Sequence, residues 1–97
     1  MKPDRGKPRP SLLPGRALSE VAALLTAEAE RHQDAPGRPG YLDHLAADYV
    51  DAAGRHWLAL VAGDESEDHL VRLAASALIA LELRERTEHA QVQDDAD

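Results

Sequence analysis

Residues 49–83, YVDAAGRHWLALVAGDESEDHLVRLAASALIALEL, decide how the chain folds. They hold the second half of one apolar-striped helix, a turn dense in carboxylates, and a second apolar helix. The spacing predicts the first of these over 41–62, with Leu42, Leu45, Ala46, Tyr49, Ala53, His56, Trp57 and Leu60 on its apolar face and Gly63 as its stop. Gly54 is an interior glycine, suited to a close helix approach. The last helix is expected to continue to about Arg86, with Leu70, Leu73, Ala74, Ala77, Leu78 and Leu81 on one face and Val71 and Ile79 elsewhere. A helix apolar on more than one side is either central or meets a second subunit.

The turn between them, GDESED at 63–68, admits two readings. Ser66 can cap the last helix, with Glu67 and Asp68 favoured at its positive end, and this alone accounts for the acids. Alternatively the acids form a site with the neighbouring histidines and arginines. His69, Arg72 and Ser76 fall at i, i+3 and i+7, a polar line that starts at the turn. Such a line is either a wet face or the edge of a site, and Ala80 and Leu83 continue the same side.

Upstream, DAPGRPG at 34–40 carries two Pro and two Gly and must be a loop. A further helix should begin near Pro14 or Gly15, where Leu18, Val21, Ala22, Leu25 and Ala29 make one narrow stripe. Glu28 borders that stripe, and His32 falls back onto it as a packed histidine. Residues 1–13 read as an extended arm, with Lys2, Arg5, Lys7 and Arg9 as its cations and Leu12 and Leu13 as an anchor. Residues 87–97 read as a disordered acidic tail, leaving 14–86 as the single helical domain.

Composition narrows the function. The 97 residues include no Phe, one Trp and two Tyr, so Leu, Val and Ala must fill a modest core that a second copy would extend. A net charge of −7 argues against nucleic acid as the main partner. Without Cys there is no thiol nucleophile, thiolate metal site or disulfide. No apolar run approaches the roughly 18 residues of a membrane span, so a cytoplasmic protein with no membrane partner is the expectation.

Three segments carry a resemblance to a known family. KPRPSLLP with the helix ALSEVAALLTAEAERH, then YVDAAGRHWLALVAGD, then HLVRLAASALIALEL resemble the dATP/dGTP diphosphohydrolase N-terminal domain of bacteria and phages, itself similar to all-α nucleoside triphosphate pyrophosphohydrolases. The shared features are Asp-Ala-x-x-Arg-His, a Gly-acid pair and a later His-Leu. The helices and short loops predict an all-α fold, a small antiparallel three-helix unit completed by homodimerisation into a bundle. The resemblance implies hydrolysis of a nucleoside triphosphate between the α and β phosphates with Mg²⁺, or Mn²⁺ in its place.

Carried over to this chain, it assigns Asp51 and Asp64 to the metal and Glu67 to an extra ligand or water-activating base. His56 and His69 take orientation or proton transfer, and Arg55 and Arg72 take substrate. The chain also departs from the family. Its turn is compressed and lacks a Gly after Ser66, Arg72 replaces a histidine, Ser76 replaces an asparagine, and HQDAPGRPG replaces Tyr-Gly and Asn-Trp elements. A diverged helical interaction module without catalysis is therefore the alternative reading.

Overall fold

The computed structural model describes residues 5–96, with side chains described through 91. It contains three α-helices and, among the described residues, no strand: α1 (Gly15–Arg31), α2 (Ala46–Val61) and α3 (His69–Ala96). Short 3-10 turns at Pro10–Leu12 and Gly40–Asp43 precede α1 and α2. The fold is all-α, as expected.

Helix α3 is the common partner, packing along α2 most extensively and against α1 to a lesser degree. The α2–α3 pair is an antiparallel hairpin. His56, late in α2, touches His69 at the start of α3, and Leu45 and Ala46 at the other end line a groove with Leu83 and Thr87.

Helix ends explain the loops. Beyond Val61 the backbone reverses through Gly63 at φ 81°, the Gly63 N–H donating to the Leu60 carbonyl at 3.1 Å and the Asp64 N–H to the Ala59 carbonyl at 3.0 Å. This is a Schellman closure with glycine where the left-handed residue is needed. α1 closes the same way without glycine: Gln33 takes φ 57°, and Gln33 and Asp34 donate to the Glu30 and Ala29 carbonyls.

The buried apolar residues are Val21 from α1 and Ala75, Ile79, Ala80 and Leu83 from α3, faced by half-buried Ala46, Tyr49, Ala52, Ala53, His56 and Ala59 of α2. Helices α2 and α3 therefore meet through small side chains, which lets their backbones lie close. The bulky apolar residues are left outside. Trp57 is 53% exposed, and Leu45, Leu60, Leu70, Leu78 and Leu81 are also exposed. The face of α3 that looked polar, His69–Arg72–Ser76 with Ala80 and Leu83, is the inward one, while the Leu70–Leu78–Leu81 face is open.

Several local expectations change. The segment ahead of α2 is a 3-10 turn and an extended Leu45, because the Asp48 carboxylate accepts the Leu45 N–H at 3.0 Å and starts the helix there. Asp68, not Ser66, caps α3, accepting the Val71 N–H at 3.2 Å. α3 continues past Arg86 to Ala96, accompanied by i, i+4 pairs Arg86–Glu82 and Arg84–Glu88. A Cβ on Gly54 would meet open space, so that glycine marks no close approach. Leu12, Leu13 and His32 are exposed rather than packed, and Lys2 lies outside the described residues.

Candidate functional site

The closure at Gly63 delivers Asp64 to the start of α3. There its Oδ2 lies 2.5 Å from His69 Nε2 and accepts the Ser66 hydroxyl at 2.7 Å, while Oδ1 accepts the Ser66 N–H at 3.3 Å. The imidazole of His69, followed by the Ser66 hydroxyl and N–H, holds the Asp64 carboxyl below its ordinary range. His69 itself is only 6% exposed.

On its other side His69 meets α2. Its Nδ1 lies 3.0 Å from His56 Nδ1, and Glu67 Oε1 lies 3.6 Å from His69 Nδ1 and 3.7 Å from His56 Nδ1. Burial pushes the His56 pKa down, with the Glu67 carboxylate opposing and His69, Arg72 and Arg55 reinforcing the shift. With both rings neutral, one arrangement of protons satisfies every contact: His69 Nε2–H donates to Asp64, and His56 Nδ1–H donates to the bare His69 Nδ1.

Arg72, one turn along α3, closes the cluster. Its Nε faces Glu67 Oε2 at 3.2 Å and its terminal nitrogen faces Glu28 Oε1 at 3.5 Å on α1. Glu28 also accepts from Arg31 at 2.6 Å. A continuous run of charge thus joins the acidic turn to all three helices.

His56, Arg72 and Glu28 of this cluster are among the residues lining a cleft of about 980 Å³. Ala75, Ser76 and Ile79 form part of its floor, Leu25 and Ala29 one wall, and Tyr41, His44 and Tyr49 the far end. The 34–40 loop is part of the rim and is well tied. Asp34 Oδ2 accepts the Gly40 N–H at 2.9 Å, and Arg38 forks onto Asp43 at 2.9 and 3.3 Å. His44 and Tyr49 stack edge to face with centroids 5.9 Å apart. Burial raises the Tyr49 pKa, with Asp48, Asp34 and Tyr41 adding to the effect.

Of the seven residues singled out from the sequence, His56, Asp64, Glu67, His69 and Arg72 come together here. Asp51 and Arg55 are exposed on α2, outside the His56–Glu67–His69 group. Glu28, Tyr41, His44 and Tyr49 also line the cleft, and of these Glu28 carries a sequence signal, its place on the border of an apolar stripe.

A profile described as dATP/dGTP diphosphohydrolase, N-terminal, matches residues 1–95. The chain belongs to that family. Membership bears out the resemblance carried by the Asp-Ala-x-x-Arg-His and His-Leu segments, and within the family this chain's compressed turn still brings Asp64, Glu67 and His69 together. No curated protein and no solved structure matches the chain.

Proposed function

We propose that this family member is a nucleoside triphosphate pyrophosphohydrolase, with the triphosphate placed at the His56–Glu67–His69–Arg72 end of the cleft. The observation that carries the reading is the convergence of His56, His69, Glu67 and Arg72, of which His56 and Arg72 line a cleft that also holds Tyr41, His44 and Tyr49. Tyr49 and His56 lie seven residues apart in α2, about 10 Å along its axis, a separation on the scale of a nucleoside. The base would rest among Tyr41, His44 and Tyr49.

In the proposed reaction, water attacks the α-phosphorus and the bond from that phosphorus to the oxygen bridging to the β-phosphate breaks. The products are a nucleoside monophosphate and pyrophosphate. Arg72 would contact phosphate oxygens, and Glu67 and His56 are the groups able to accept the proton from water. His69, held by Asp64, would position His56.

The family resemblance implies Mg²⁺, a cation that demands near-octahedral oxygen coordination and keeps several waters. A cluster offering two imidazole nitrogens and one carboxylate oxygen does not fit that demand. Pyrophosphate release across a nucleotide panel, beginning with the dATP and dGTP of the family's name, tests the reading. Turnover that is lost in Glu67→Gln supports it; no release with any nucleotide contradicts it.

A second reading is favoured by a different observation. Val50, Trp57, Leu58 and Val61 on α2, and Leu70, Leu78 and Leu81 on α3, recur at helical spacing and are exposed. Such paired stripes fit a second copy completing the bundle, and a non-catalytic interaction module would need only these.

A further inference from the structure

We propose that His56, Glu67 and His69 bind a divalent late first-row transition-metal cation, of the Zn²⁺ or Co²⁺ class, in preference to Mg²⁺. The inference deepens the reading above and rests on the same cluster being the site; with a cation bound, Glu67 and His56 act as its ligands in place of the proton-acceptor roles they hold in the metal-free cluster.

Among the described residues, this is the group of histidine and acidic side chains whose ligand atoms converge. The three atoms, His56 Nδ1, His69 Nδ1 and Glu67 Oε1, stand 3.0, 3.6 and 3.7 Å apart. A triangle with those sides has a circumradius of about 2.0 Å, so a cation slightly out of its plane meets all three at about 2.0–2.2 Å. Its remaining positions stay open, as in sites built from three protein ligands.

Two features distinguish the group from an ordinary ion-pair network. Glu67 Oε1 lies beyond hydrogen-bond reach of both ring nitrogens yet equidistant from them to 0.1 Å, while Arg72 holds the other oxygen. The Asp64 carboxylate faces Nε2 of His69, the nitrogen opposite the proposed ligand atom. In the neutral ring that contact places the proton on Nε2 and leaves Nδ1 bare, the carboxylate–histidine–metal arrangement in which an outer carboxylate orients the ring. His69 is a ligand with its ring already held, at 6% exposure, rather than a surface histidine.

Distance does not separate Mg²⁺ from the later cations; the donor atoms do. Imidazole nitrogen is a good ligand for Zn²⁺ and its first-row neighbours and a poor one for Mg²⁺, and two histidines with one carboxylate is a recurrent transition-metal set. Charge agrees. The cleft carries Glu28, Glu30 and Asp34 along with Glu67 nearby, and Arg72 is already shared between Glu67 and Glu28. A bound dication would offset the carboxylates that a triphosphate must approach.

The test is titration of the metal-stripped protein with Co²⁺, followed by its visible absorption, and with Zn²⁺ by calorimetry, without nucleotide. The expected result is one cation per chain, not displaced by a large excess of Mg²⁺. Glu67→Gln and His56→Gln should each weaken binding at least tenfold with unchanged helical circular dichroism. Asp64→Asn should weaken it by about 10–100-fold, as an outer-shell partner does. His89→Gln, on the exposed far part of α3, should leave it unchanged. Absence of Co²⁺ and Zn²⁺ binding, displacement by Mg²⁺, or equal affinity in Glu67→Gln and His56→Gln would each overturn the inference. Metal binding without turnover would leave it standing and count against the hydrolytic reading alone.

Discussion

His69 Nε2 and Asp64 Oδ2 stand 2.5 Å apart, joining the first residue of α3 to the residue that ends the reversal after α2. The contact ties the turn to the helix it leads into and fixes which face of His69 is free. Glycine at 63 makes it possible, because the left-handed backbone there turns Asp64 back toward α3. Capping and site formation are therefore divided between acids: Asp68 serves the helix, and Asp64 and Glu67 serve the histidines.

That division is testable by stability. Asp68→Ala should lower the unfolding free energy by about 1 kcal/mol, the usual cost of a lost N-cap. Ser66→Ala, which leaves the Val71 N–H bonded to Asp68, should cost well under that. Denaturant midpoints of the two variants decide it; the reverse order would return the cap to Ser66.

A second prediction concerns acid. The Arg31 hydrogen bond, partly opposed by burial and aided by the charges of Arg31 and Arg72, holds Glu28 below its ordinary value of 4.5. The unfolded chain thus takes up this proton more readily than the folded one. The stabilisation is fully present above about pH 4.5 and is lost as pH falls through the lower folded value. Glu28→Gln should accordingly show a smaller loss of stability than wild type between pH 6 and acid, measured by thermal melts across that range.

The helices and loops were legible from periodicity and from glycine and proline, and so was the inward side of α2 through Ala46, Tyr49, Ala53 and His56, but the inward face of α3 was not. Hydrophobicity counts favour Leu70, Leu78 and Leu81, whereas the close α2–α3 contact selects small residues such as Ala75 and Ala80 and so buries the His69–Arg72–Ser76 line beside them. For the same reason Trp57 lies outside. His56, Glu67, His69 and Arg72 could be picked out because they flank the turn. Asp51 and Arg55 fell away on helix geometry: they stand five residues and one residue before His56, about 140° and 100° around α2 from it. The cleft's far end depended on the 34–40 loop, whose path is set by Asp34 reaching Gly40 and Arg38 reaching Asp43, pairings that composition does not encode.

The exposed stripes give a third prediction. If a second copy covers Trp57, Leu58, Leu78 and Leu81, sedimentation should find a dimer at micromolar concentration, and the double change Leu78→Glu, Leu81→Glu should shift it to monomer with its helicity retained. A wild-type monomer at all concentrations would contradict the bundle completed by a second chain.

Pyrophosphate release shows directly whether the His56–Glu67–His69 cluster hydrolyses nucleoside triphosphates. Wild-type protein, assayed with Mn²⁺, Zn²⁺ or Mg²⁺ over a panel of deoxynucleoside and ribonucleoside triphosphates, should release one pyrophosphate for each monophosphate formed. Glu67→Gln should reduce the rate by about a hundredfold or more while remaining folded. No pyrophosphate from any nucleotide with any of these cations, or a rate unchanged in Glu67→Gln, would contradict the hydrolytic reading.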